Sequence, residues 1–108
     1  MITIRLWHND NGNISGFAVE GHAGYAAKGQ DIVCAAVSAI TQAALLGLTE
    51  HVGLNPEVEI TEGYLSCILT PGSEENPAAQ AILVTLALAL HDIATQYPDR
   101  VRFKEVES

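Results

Sequence analysis

Apolar and polar residues alternate at the start of the chain: Ile2, Ile4 and Leu6 against Thr3, Arg5 and Trp7. A period of two predicts a strand with one buried face. Asn9, Asp10, Asn11, Gly12 and Asn13 read as a turn, because Asn, Asp and Gly tolerate left-handed backbone. A second strand is expected over 14–21, as hairpin partner of the first, with Phe17 and Val19 on one face and Ala18 and Glu20 on the other. His22 follows the second set by parity. Residues 23–30 hold Gly24 and Gly29 around Tyr25 and predict a loop.

The period then changes. Residues 31–52 predict a first helix, with Asp31 as N-cap and Gly53 as C-terminal cap. It is apolar nearly all round, so it needs cover on most sides, from a sheet on one and a self-association surface on another. Its polar interruption follows one stripe, Cys34, Ser38, Thr41 and Gln42, which predicts a wetter side beneath the thiol. Alternation returns over 57–61, with Val58 and Ile60 expected inward, and over 64–70, the two separated by Glu62-Gly63. A second helix begins at Asn76, with Pro77 at the first helical position. Ile82, Leu83, Leu86, Leu90 and Ile93 form its apolar face, and Pro98 stops it. Val101 and Phe103 mark a last strand. The order β-β-α-β-β-α-β predicts an α+β fold of two layers, both helices on one face of a mainly antiparallel sheet.

The length of 108 residues fits a single domain, 1–108. Hydrophobic residues at 48 % and charged residues at 17 % indicate a folded chain. Five Lys+Arg against thirteen Asp+Glu leave a net charge of −8. Without a cluster of cations, direct nucleic-acid binding is disfavoured, and a basic peptide or protein partner is attracted instead. The N-terminal stretch lacks a basic region followed by an apolar block, so no secretory signal is expected. The longest apolar run, 81–90, is broken by Thr85 and is short for a bilayer. These features lead us to expect a cytoplasmic protein with Cys34 and Cys67 reduced.

Chemistry concentrates between residues 21 and 38. Capped by Asp31, the first helix places Cys34 third, within the turn whose amide groups lack partners. That end of the helix dipole favours an anion, and the thiolate is the reactive form of cysteine. His22 stands twelve residues upstream across the glycine-spaced loop, and an adjacent base activates a nucleophile. The pair predicts a cysteine–histidine nucleophilic site, against the bland readings of a packed cysteine and a strand-ending histidine. Asp31 serves as cap or as a third, orienting group. Ser38 bonds near the site or back to the helix carbonyl of Cys34. Gly21 and Gly29 shape the backbone. Cys67, alternating with Leu65 and Leu69, reads as inert core, and His8, His51 and His91 as solvent-facing. A metal site built on Cys34, Cys67 and His22 lacks a close ligand pair.

The run Gly21-His22-Ala23, then Gly29-Gln30-Asp31-Ile32-Val33-Cys34-Ala35-Ala36-Val37-Ser38, resembles the signature of the ribosomal-processing cysteine protease family (Prp), and length and element order resemble it over essentially the whole chain. The resemblance implies a small α+β homodimer of the bacterial cytoplasm. It implies a cysteine endopeptidase that removes a short N-terminal extension, carrying basic and aromatic residues, from one large-subunit ribosomal protein. The residue matching the nucleophile is Cys34 and that matching its base is His22; the loop 23–30 adjusts to bound peptide, and no metal or organic cofactor takes part. Two other readings stand beside it: a non-catalytic chaperone for a basic ribosomal protein, and a thiol redox protein using Cys34 alone.

Overall fold

The computed structural model describes residues 1–21 and 32–107. The strands β1 (Ile2–His8) and β2 (Ile14–Glu20) come first, followed by helix α1 (Ile32–Leu46). A second hairpin, β3 (Glu57–Thr61) and β4 (Tyr64–Ile68), precedes helix α2 (Pro77–Gln96) and strand β5 (Val101–Glu107). The strands form one mixed sheet in the order β3-β4-β2-β1-β5. Every join is antiparallel except β1–β5, which is parallel. This is the expected α+β order.

Register explains the core. Ile60, Leu65, Val19, Ile4 and Phe103 lie in one row across the sheet, and Val58, Cys67, Phe17 and Leu6 in the next. Side chains paired across strands share a face. On this face Ile4, Leu6, Phe17, Val19, Leu65 and Cys67 are buried beneath Val33, Val37 and Leu48 of the first helical segment and Leu83, Leu86 and Leu90 of the second. Gln80 fastens α2 to β2: its Oε1 accepts the Ile14 N–H at 2.9 Å, and its Nε2 donates to the Ile14 carbonyl at 2.8 Å.

The helix ends follow from local chemistry. Asn76 Oδ1 accepts from the N–H groups of Ala78 and Ala79 at 2.9 and 3.1 Å, and Pro77 needs no donor partner there. The first helix widens into a π turn at Gly47–His51. It closes on Gly53 at φ +82°, with the Leu54 N–H donating to the Leu48 carbonyl, the left-handed stop that glycine permits.

Four expectations need correction. Val58 and Ile60 share the core face, yet they are 39 % and 63 % exposed, because β3 lies at the sheet edge, away from the described helices. Thr41 is buried, its hydroxyl donating to the Val37 carbonyl at 2.8 Å; the polar stripe is therefore dry at that position. His8 does not simply meet solvent, since its Nε2 lies 2.9 Å from Glu105 Oε1 across the β1–β5 pair. Finally, Ile32–His51 and Pro77–Gln96 are each 20 residues long and apolar enough, by length and composition, to cross a membrane. An unbroken apolar run underestimates them because Ser, Thr and Gln interrupt the apolar stretches without ending the helices. Here each packs a buried row against the sheet.

Candidate active site

β2 ends at Gly21, whose φ is +86°. A side chain there would be strained, and a Cβ atom would run into the Met1 carbonyl oxygen. The Gly21 N–H donates to the Gly63 carbonyl at 2.7 Å. Gly63, in the β3–β4 turn, also has positive φ, +77°. The chain leaves β2 toward residue 22 from this fixed corner. The Glu62-Gly63 pair signals a hairpin turn in the sequence, but nothing in the sequence reveals that its carbonyl reaches Gly21.

Cys34 stands third in α1, half-buried and packed against the core cluster. Its neighbours Val33 and Val37 are fully buried and fix the helix on the sheet. Ser38 lies one turn on, half-buried, and its Oγ accepts from Gln42 Nε2 at 3.0 Å. Both remaining polar members of the stripe are thus engaged within the helix. His22, Gly29 and Asp31 lie outside the described residues, as does the loop 23–30.

Cys67 shows the contrast between two thiols in one chain. It sits on β4 with no exposed surface, and burial pushes its thiol up from 9.0 to about 11. A neutral thiol in hydrocarbon is a packing group. The two cysteines are not joined by a disulfide. Among the described residues, no group of three or more His, Cys, Asp or Glu side chains is placed to hold a metal ion.

A half-buried thiol in the first turn of a helix anchored on a sheet lies at the end where the helix dipole favours an anion. The family model for cysteine protease Prp matches residues 1–102. The ribosomal processing cysteine protease Prp of Bacillus subtilis is 33 % identical over 104 residues, covering 93 % of this chain and 91 % of that protein. Two crystal structures of the ribosomal processing protease Prp from Staphylococcus aureus superpose with a TM-score of 0.88 each, over 98 % of this chain and 100 % of theirs. One, 26 % identical, holds a substrate peptide, and the other, 27 % identical, a covalently linked product peptide. The chain belongs to the cysteine protease Prp family and is a cysteine-type hydrolase.

Proposed function

We propose that this protein, as a single protease domain over residues 1–108, removes a short N-terminal extension from a large-subunit ribosomal protein. Cys34 is the nucleophile and His22 its general base. The observation that carries the reading is the position of Cys34, half-exposed in the first turn of α1. The ribosomal processing named for the Bacillus subtilis relative, and the covalently linked product peptide of the Staphylococcus aureus protein, support it.

The chemistry follows from the helix end. The N–H groups at the start of a helix form the positive end of its dipole. They favour the thiolate, and those of Val33 and Cys34 donate hydrogen bonds to the negative charge that develops on the scissile carbonyl oxygen. Cys34 Sγ bonds to the carbonyl carbon, and His22 takes the thiol proton. His22 then returns a proton to the leaving amine as the peptide C–N bond breaks, giving a thioester. Water cleaves the thioester and restores the thiol. Asp31 caps the helix or orients His22; Ser38 steadies the helix beside the thiol; Gly21 and Gly29 set the path of the connecting chain.

The same reading places the protein in the cytoplasm, without direct nucleic-acid binding, as a homodimer. The helix layer supports the dimer: Leu46, Val84 and Leu88 are 60 %, 45 % and 68 % exposed. Between the helices lies an apolar groove of about 490 Å³, lined by Ile40, Ala43, Ala44, Ile82 and Leu86 among others. An apolar surface of this kind is usually covered by a partner.

Incubation with the N-terminally extended ribosomal protein tests the proposal. Wild type should shorten it at one site, Cys34→Ala should bind without cutting, and His22→Ala should cut far more slowly at neutral pH. Binding by wild type without any shortening would instead mark a chaperone.

A further inference from the structure

β3 is exposed along its whole length and forms one edge of the sheet. Its outer side offers a row of main-chain N–H and C=O groups that a further strand can pair with. Its side chains divide by face. Val58 and Ile60 point to the helix side, aligned with Cys67 and Leu65, and remain open to solvent. Glu57 and Glu59 point to the opposite side, aligned with Ile68 and Ser66, and Glu62 follows in the turn. None of the three carboxylates has an ion-pair partner among the described residues. Arg5 lies in the same row as Glu59 but beyond Ser66 and Ala18, and it is held by Glu20 at 3.2 Å.

The opposite edge is built differently: β5 mixes Arg102 and Lys104 with Glu105. Among the described strands, only β3 combines an uncovered apolar row with charges of one sign. We propose that β3 is the docking strand for the substrate, which adds to the sheet edge as an extended segment of alternating apolar and basic residues. In such an added strand, successive side chains fall on opposite faces. Its apolar residues meet Val58 and Ile60, and its Lys or Arg residues meet Glu57 and Glu59. Proteins that bind ribosomal RNA neutralise phosphate with Lys and Arg, so a ribosomal substrate supplies the complementary charge. The turn at Glu62-Gly63 is bonded to Gly21. A segment laid along β3 therefore arrives at the end of the sheet where the chain departs toward residue 22. The inference rests on the proteolytic reading and gives it a recognition surface.

The test uses the full protein and the N-terminally extended ribosomal protein. In Glu57→Lys/Glu59→Lys, KM should rise about tenfold with kcat little changed, because two exposed pairs are lost and reversed. Added salt should raise the wild-type KM and lower that of the variant, whose lysines repel the basic segment. Replacing Lys or Arg by Glu in the substrate's alternating segment should restore the variant. Substrate bound to Cys34→Ala should slow hydrogen exchange of amides at 57–61. An unchanged KM, or no protection of β3, overturns the proposal and leaves Glu57 and Glu59 as guards against edge pairing. Protection that depends on protein concentration without substrate assigns the edge to a second copy and likewise overturns it. Failure of wild type to cut would defeat the proteolytic reading, while the exchange measurement would still report whether substrate docks on β3.

Discussion

The N–H of Gly21 donates to the carbonyl of Gly63 at 2.7 Å, tying the end of β2 to the β3–β4 turn. Both residues hold positive φ, +86° and +77°. The Met1 carbonyl closes the space where a Gly21 side chain would stand. Gly21→Ala therefore combines left-handed strain with a collision against backbone and should cost about 2 kcal/mol, read from the urea midpoint. Gly63→Ala should cost about 1 kcal/mol through left-handed strain, and Gly63→Asn less, since Asn tolerates left-handed backbone. Because Gly21 directly precedes residue 22, its variant should also lose cleavage rate under conditions where it remains folded.

The two thiols should separate under an alkylating agent. Native protein treated with iodoacetamide at pH 8 should carry the label on Cys34, which is half-exposed, while Cys67, fully enclosed, stays unmodified until denaturant is added. Peptide mass mapping assigns the label.

Cys67 also makes stability depend on alkaline pH. Its folded thiol titrates at about 11 against a reference of 9.0. Between those values the unfolded chain loses the proton and the native chain keeps it, so the unfolded state gains and stability falls as pH rises. The contribution is complete below pH 9, and its full loss amounts to roughly 3 kcal/mol. Urea titrations at pH 8 and pH 11 should show a smaller fall for Cys67→Val than for wild type.

Gln80 offers a test of how α2 is held. Its amide brackets the Ile14 main chain with two hydrogen bonds of 2.9 and 2.8 Å. Gln80→Ala leaves an N–H and a carbonyl of β2 without these partners and should destabilise by about 2 kcal/mol. Chemical denaturation with an unchanged m-value checks it.

Much of this was legible in the amino-acid order. Period-two runs mark all five strands, because each puts apolar side chains on one face. Asn76-Pro77 marks the start of α2 to the residue, because the cap is local chemistry. The thiol's place near the start of α1 was equally readable from helix-cap preference. What alternation does not carry is position within the sheet: Val58 and Ile60 pattern as core residues, yet β3 is an edge beyond the helices. The burial of Thr41 and the bracket from Gln80 arise from tertiary placement, with no local signature. The Gly21–Gly63 bond joins residues 42 positions apart in the chain (63 less 21) and becomes visible only in the folded sheet.

The central claim is that Cys34 becomes covalently acylated. Acid quenching of wild type during turnover, followed by intact-mass measurement and peptide mapping, tests it most directly. The expected result is a protein heavier by the acyl part of the substrate, with the addition on the Cys34 peptide and absent from Cys34→Ala. Steady cleavage with no such adduct, undiminished in Cys34→Ala, would contradict it.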